Sequence, residues 1–205
     1  MQSRFFRFSR TVHAWGGAAL ALLLLVISLT GSILVWKNEF VAMSLVTTDA
    51  AFDATPQALA AIADAVEAQF SSDDILQIQF PTAEFPLARI TLADDQYVYL
   101  DGSGTVVAQW VLNERWEEWL YDLHHRLLLG NVGLAIAGFA GMAMILLLVA
   151  GVIAFWPSRR GFRHGFWPQS TARSSLQAAH RNIGIVEVLP FLLALVTGTI
   201  LAFPE

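Results

Sequence analysis

Histidine is the residue type in this chain best suited to bind a metal, because cysteine is absent from all 205 positions. His13 and His180 open the same pattern, in which an apolar stretch leads to Thr30-Gly31 in one copy and to Thr197-Gly198 in the other. In both copies the glycine comes eighteen positions after the histidine. Imidazole is both a metal ligand and a proton carrier. The repeat therefore predicts a paired histidine site built on two similar helices.

The composition is that of a membrane protein. Hydrophobic residues make up 56% of the chain and charged residues 14%, and the mean hydropathy is +0.54. No charged side chain occurs from Thr11 to Trp36, a run long enough to cross a bilayer core. This run is longer than the apolar core of a signal peptide, so we expect an uncleaved first membrane helix. The uncharged run from Leu127 to Pro157 and the stretch from Ile183 to Phe203 predict two more, the last kinked at Pro190.

The charged residues divide into two groups along the chain. Residues 37–122 hold fifteen of the seventeen acidic residues and only three of the twelve basic ones. The other arginines lie near the N-terminus, at Arg126, and between Arg159 and Arg181. Because cytoplasmic loops are enriched in basic residues, we expect a cytoplasmic N-terminus. Residues 38–120 and the C-terminus are then expected on the outer side of the membrane.

The acidic segment predicts a small α+β unit. Pro56 to Phe70 has apolar residues at helical spacing, with Thr55 as the N-cap. Strands are expected at Ile75 to Phe80, Leu87 to Leu92, Tyr97 to Leu100 and Thr105 to Trp110. Asp94-Asp95 and Asp101 to Gly104 predict turns. Asn113 to Leu123, rich in tryptophan and acidic residues, predicts an amphipathic helix at the outer membrane surface.

These segments predict a membrane α-helical protein with three transmembrane helices and a small periplasmic α+β domain between helices 1 and 2. The predicted order is a cytoplasmic N-terminus (1–13), transmembrane helix 1 (14–37), the periplasmic domain (38–112), an amphipathic lead-in (113–126), transmembrane helix 2 (127–157), a basic cytoplasmic loop (158–180) and transmembrane helix 3 (181–204). Helix 2 is longer than a hydrocarbon core of about 30 Å. It is therefore tilted, or its first two turns lie outside the core.

Three features in this order resemble the PepSY-associated transmembrane (PepSY_TM) proteins of the bacterial inner membrane. They are the two histidine-to-Thr-Gly helices, the turn Tyr99-Leu100-Asp101-Gly102-Ser103-Gly104-Thr105-Val106-Val107, and His124-His125-Arg126 at the start of a helix that ends Phe155-Trp156-Pro157. The resemblance covers nearly the whole chain. It implies a PepSY-like periplasmic domain. Because better-known members are similar to haem-binding ferric-siderophore reductases, it also implies haem-dependent reduction of ferric iron or a ferric siderophore.

Haem b, one or two groups per chain, is the cofactor that the resemblance implies, with transmembrane histidines as its ligands. A bis-histidine site needs two histidines at one depth on facing helices, and His13 and His180 both begin helices that run in the same direction. A helix N-terminus disfavours imidazolium, which favours the neutral ligand form of both rings. Arg181 is expected to pair with a haem propionate. The alternative is that these histidines are only tolerated polar caps.

A second haem is expected at the outer face, near His124 and His125. Neighbours on a helix point about 100° apart, so at most one of these two rings can face a given haem. His125 is the preferred ligand because it shares a His-Arg dipeptide with the third helix, and Arg126 follows it. Its partner would be Met43, another side chain, or a histidine of a second copy of the chain in a homodimer.

Glu187 and His164 are two further polar residues in or near the predicted third membrane helix. Glu187, seven residues after His180, is an ionisable group in a membrane helix and therefore a candidate for carrying protons or hydrogen-bonding a ligand. The alternative is that its side chain extends to the inner interface. His164 lies in the basic loop and is expected to be solvated.

Two classes of function are open from the sequence. In the first, the protein carries electrons across the membrane from quinol or a partner reductase to ferric iron or a ferric siderophore. No G-x-G-x-x-G motif follows a strand, so the chain is not expected to bind a flavin or nicotinamide itself. In the second, it is a non-enzymatic membrane protein whose periplasmic domain binds a ligand or partner in a regulatory or accessory role. Membrane lipids are expected partners in both, and nucleic acid in neither.

Overall fold

A computed structural model describes residues 4–45, 55–162 and 165–203. The helices in these ranges are α1 (Arg4–Leu34), α2 (Lys37–Leu45), α3 (Pro56–Gln69), α4 (Trp116–Arg126), α5 (Gly130–Phe155), α6 (Arg173–Val186) and α7 (Val188–Ala202). The strands are β1 (Ile75–Gln79), β2 (Ala88–Leu92), β3 (Gln96–Leu100) and β4 (Val106–Val111). The chain divides into two compact units: the helical unit, Met1–Ile27 with His125–Glu205, and the sheet unit, Ser28–His124.

Two helices in the described ranges are long and apolar enough to cross a membrane: α1, and α5 with the turn that continues it to Arg160. The helices α6 and α7 become a third candidate span if they are counted together, and they meet at a bend of 67°. The helix expected over 181–204 is bent, as predicted, but its first half begins earlier, at Arg173. The bend lies at Glu187, and Pro190 in the first turn of α7 has no N–H to continue the α6 hydrogen-bond ladder.

The second membrane helix begins later than expected, at Gly130 instead of 127. Leu127 and Leu128 have φ angles of 52° and 59°, which places both in the left-handed region and ends α4. The Leu129 N–H donates to the Arg126 carbonyl at 2.8 Å, so the chain folds back on itself before α5 starts. This tight junction, defined here as residues 126–133, shortens the helix that the uncharged run predicted.

The sheet unit contains an antiparallel sheet in the order β1-β2-β3-β4. All four strands and the α3 helix match the sequence expectations to within a few residues. The Thr55 side chain caps α3 by accepting from the Ala58 N–H at 3.3 Å, as expected. The helix buries Ile62 and Val66 on one face of the sheet, against Ile90 and Val98. Burial of these side chains is the main stabilising contribution on that face.

The other face of the sheet is more aromatic. Tyr99 stacks on Trp110 with ring centroids 4.8 Å apart, and both are buried with Val41 of α2. The α2 helix was not expected from the sequence, because its nine residues show no clear helical periodicity of apolar side chains. It follows α1 after two residues and places its one buried side chain, Val41, against this face.

Candidate functional site

The helical unit places His13 of α1 beside His180 of α6. Their ring centroids are 6.0 Å apart and the ring planes are inclined by 46°. Both histidines lie well inside their helices, since α1 begins at Arg4 and α6 at Arg173. The influence of a helix terminus falls off within the first turn. The expectation that a helix N-terminus favours the neutral form of these rings is therefore wrong, whereas the expected proximity of the two rings is present.

The ring of His13 is held in one orientation by α5. Its Nδ1 lies 2.9 Å from the Leu147 carbonyl oxygen. Because a carbonyl can only accept, Nδ1 carries a proton, and in the neutral ring Nε2 is then the nitrogen with the lone pair. A Cβ at Gly151 would lie 2.8 Å from Cε1 of the ring, so glycine is needed there for the ring to fit. A histidine that donates from one nitrogen to a backbone carbonyl is in the form that metal-binding histidines adopt.

His180 is exposed and lines an open groove of about 430 Å³. The other lining residues are Thr171, Arg173, Leu176 and Gln177. Arg173 lies seven residues before His180 on α6, about two turns away on the same face. The Arg181 Nε donates to the Asn182 Oδ1 at 3.0 Å, and Asn182 in turn donates to the Gly165 carbonyl. Arg173 is therefore the cation that shares a groove with His180, and it was missed because it lies in the segment expected to be a loop.

The two histidines suit a metal whose other ligands come from a bound organic group and not from the protein. Two imidazoles that bind one metal from opposite sides, each at about 2 Å, hold their ring centroids about 6 Å apart. His13 and His180 have that separation, 6.0 Å. Within the described ranges no group of three or more histidines or carboxylates converges, as a metal held by protein ligands alone would require. Haem iron would need only two ligands from the protein, and the two imidazoles could supply them, so the residues present fit haem.

The sheet unit contains a second histidine contact, at His124. Its Nδ1 lies 3.1 Å from the Thr30 Oγ1, and a Cβ at Gly31 would lie 2.7 Å from its Cε1. His124 thus packs over the Thr-Gly pair that the repeat singled out. The sequence favoured His125, which is half-buried at the next position of α4. The ligand role of His125 stays a prediction, as does that of Met43, which is exposed on α2.

The chain also matches a known protein family. The family model of the PepSY-associated TM region matches residues 10–205. The chain belongs to that family. It is accordingly a membrane protein, and the family resemblance stated from the sequence is confirmed. No curated protein and no solved structure matches the chain.

Glu187 and His164, two residues singled out from the sequence of this PepSY-associated protein, are not among the residues described at the histidine pair. Glu187 is exposed at the bend between α6 and α7, where it borders a shallow groove of about 230 Å³ with Phe166, Ile183 and Val186. Its N–H donates to the Ile183 carbonyl and its carbonyl accepts from the Phe191 N–H, both at 2.9 Å. A role in carrying protons stays a prediction. His164 lies outside the described residues.

The α4 helix of the PepSY-associated chain buries its acids and exposes its aromatics. Glu117 and Glu118 are 1% and 0% exposed, whereas Trp116 and Trp119 are 52% and 43% exposed. Glu118 Oε1 lies 2.8 Å from Lys37 Nζ and 3.3 Å from Arg89 Nη2. Glu117 pairs with Arg115. The sequence predicted the amphipathic helix, but it gave no sign that the charged side of that helix is buried in protein.

Burial also shifts titratable groups of the sheet unit, among them Lys37 and Tyr99. Burial lowers the pKa of Lys37 below its usual 10.5, and the nearby Arg89 lowers it further, against the opposing effect of Glu118. Burial raises the pKa of Tyr99 from 10.0 to about 12. Both shifts identify this face of the sheet as poorly solvated.

Replacing Tyr99 by Phe is expected to remove part of the alkaline destabilisation of the sheet unit. The neutral phenol is favoured in the folded protein, so its contribution is present below pH 10 and is lost as the pH rises to about 12. Two pKa units correspond to about 2.7 kcal/mol. Denaturant titrations at pH 10 and pH 12 should show wild type losing about 2 kcal/mol more than Tyr99→Phe between these two pH values.

The matched control is Tyr121→Phe, because Tyr121 is 39% exposed. It should lose stability with pH as wild type does. Equal alkaline losses in wild type and Tyr99→Phe would contradict the prediction.

Proposed function

We propose that this protein is a b-type haem protein that transfers electrons across a bacterial inner membrane, with His13 and His180 as axial ligands of one haem. The observation that carries the proposal is the pair of neighbouring imidazoles with ring centroids 6.0 Å apart, one of them oriented through its Nδ1 by the Leu147 carbonyl. A bound haem supplies a one-electron ferric/ferrous couple. If both histidines held the haem, no coordination site would be left for a substrate, which would suit electron transfer better than substrate binding at the iron.

The groups around His13 and His180 have different roles. The Leu147 carbonyl fixes the tautomer of His13, and Gly151 leaves room for its ring. Arg173, in the groove beside His180, is placed to pair with a propionate carboxylate. Arg181, the expected propionate partner, donates from its Nε to Asn182, and its role toward a propionate stays a prediction.

The direction of transfer follows from the arginines. Arg4, Arg7 and Arg10 precede the apolar part of α1, and Arg159 and Arg160 follow α5. Under the positive-inside rule both groups would lie in the cytoplasm and the sheet unit in the periplasm. The donor is then a quinol of the membrane or a partner reductase, and the acceptor is ferric iron or a ferric siderophore in the periplasm.

A second candidate function uses the same contacts differently. The ring of His13 also fills the space over Gly151 and bonds a backbone carbonyl, as a purely structural histidine between helices would. The protein would then be a non-enzymatic membrane protein whose sheet unit binds a ligand or partner. The two candidates differ in whether the pure protein binds haem.

The test is the spectrum of the full chain, purified in detergent from cells supplied with haem. We expect a Soret band, α and β bands that sharpen on reduction with dithionite, and the low-spin electron paramagnetic resonance signal of two imidazoles. His13→Ala and His180→Ala should each lose at least nine-tenths of the low-spin signal. The control is His124→Ala, which removes a histidine of the sheet unit and should retain it.

Two results would count against the proposal. A colourless preparation that remains folded and monodisperse would favour the non-enzymatic candidate. A low-spin signal that survives in both His13→Ala and His180→Ala would show that other residues hold the haem.

A further inference from the structure

In the sheet unit the segment from the end of α1 to the start of α2 runs antiparallel to α4, and two contacts define the register between them. His124 lies on Thr30 and Gly31, and Glu118 pairs with Lys37. Lys37 comes seven residues after Thr30, and Glu118 comes six residues before His124. The interval from Glu118 to His124 is about two turns of α4, whereas the interval from Thr30 to Lys37 runs from α1 across residues 35–36 to the first residue of α2. The ion pair therefore fixes the axial position of α4 at a point two turns from the histidine.

Glu118 also ties this helix pair to the sheet. Its Oε1 accepts from Lys37 Nζ, just after α1, and from Arg89 Nη2 on β2. The guanidinium of Arg89 lies over the Tyr97 ring, 4.7 Å from its centroid, which holds it against β3. One carboxylate oxygen thus joins three elements that come from distant parts of the sequence.

Because these ion pairs are buried, they oppose movement of α4 away from its register. The Glu118 side chain is fully buried, and those of Lys37 and Arg89 are 12% and 23% exposed. A buried charge that loses its partner cannot be compensated by solvent, so sliding or rotating α4 away from this position is strongly opposed. The contact at His124 is weaker, because a neutral hydrogen bond contributes only about 1 kcal/mol.

We propose that Glu118 is the positioning residue of His124: the ion cluster of Lys37, Glu118 and Arg89 holds α4 so that the imidazole lies on Thr30 and Gly31. The position of the ring is then set by the sheet as well as by the helix that carries it. A change at Arg89 is transmitted to His124 through a single carboxylate. This inference concerns the protein part alone and does not depend on bound haem.

The experiment is nitrogen NMR of the full chain in lipid nanodiscs, labelled with ¹⁵N-histidine and without added haem. The chain has five histidines, and the signal of His124 is assigned by its loss in His124→Gln. In Glu118→Gln the Nδ1 signal of His124 should shift or split, because the ring loses its fixed contact with Thr30. The signals of His13 and His180 should stay in place. Lys37→Met removes one arm of the cluster and should move the same signal.

The matched control is Glu117→Gln. Glu117 is adjacent, equally buried and ion-paired, but its partner is Arg115 rather than Lys37 or Arg89. It should leave the His124 signal unchanged, and Glu118→Asp should restore part of the wild-type signal. An unchanged His124 signal in Lys37→Met and Glu118→Gln would overturn the proposal. So would an equal shift in Glu117→Gln. If Glu118→Gln does not fold, Lys37→Met against Glu117→Gln decides the question by the same criterion.

Discussion

Gly133→Ala is expected to destabilise the helical unit by about 3 kcal/mol or more, at the upper end of the usual cost of overpacking. A Cβ at this position would lie 1.6 Å from the Arg126 carbonyl oxygen and 2.5 Å from its carbonyl carbon. A side chain could swing away from such a contact, but this neighbour is backbone. The same carbonyl accepts from the Leu129 N–H at 2.8 Å and so helps to close the turn.

The junction has little freedom to relax around an added methyl group. Leu127 and Leu128 already have positive φ angles, which cost a residue with a side chain about 1–2 kcal/mol each. Moving Arg126 would displace the end of α4, where the neighbouring residues are His124 and His125. We therefore expect Gly133→Ala to lower the midpoint of denaturation and also to disturb the histidine signals of α4.

The matched control for Gly133→Ala is Gly184→Ala. Gly184 lies inside α6, and a Cβ there would have no atom within 4 Å. Since alanine is the better helix former by about 1 kcal/mol, this variant should be as stable as wild type or more so. Denaturant titration of both variants in mixed micelles measures the difference. Equal midpoints for the two variants would show that the junction can open at little cost.

Local signals account for the part of the fold that the sequence predicted. The strands of the sheet unit alternate apolar and polar residues, and their turns carry Asp and Gly at the required positions. The turn at Asp101 is closed by its own carboxylate, which accepts from the Ser103 and Thr105 N–H groups. These interactions form within a few residues, so the order of residues is sufficient to predict them.

The histidine pair was predictable for a different reason. His13 and His180 occupy the same place in a repeated pattern, and equal spacing from the Thr-Gly pair implied equal depth. The choice between His124 and His125 had no such support. It depends on the rotation of α4 about its axis, which is fixed by contacts with Thr30 and Gly31 far away in the chain.

Buried charge was the feature that the sequence could not reveal. Glu118 looks like any acid on an amphipathic helix, and its partners lie 81 and 29 residues away. The start of α6 was missed for a related reason. Its first turns contain Arg173, Ser174 and Ser175, which read as a polar loop, and α6 continues through His180 to Val186.

Glu118→Ala is expected to destabilise the sheet unit by about 3–5 kcal/mol, the usual cost of removing one partner from a buried ion pair. The variant leaves Lys37 and Arg89 facing each other with no anion between them. Burial and Arg89 already lower the pKa of Lys37 in the presence of Glu118. Removing the carboxylate takes away the hydrogen bond and the charge that oppose this shift. The free energy of unfolding of the full chain, from denaturant titration at pH 7, is the measurement.

Two variants separate the loss of charge balance from the loss of a side chain. Asp64→Ala removes an exposed acid from α3 and should change the free energy of unfolding by less than about 0.5 kcal/mol. The double variant Lys37→Met with Glu118→Ala removes a cation together with the anion, so it should lose less than the sum of the two single variants. Because the pair is coupled, the predicted interaction energy exceeds about 1 kcal/mol. Strict additivity would show that Lys37 and Glu118 do not stabilise each other, and the ion cluster could then not hold the register of α4.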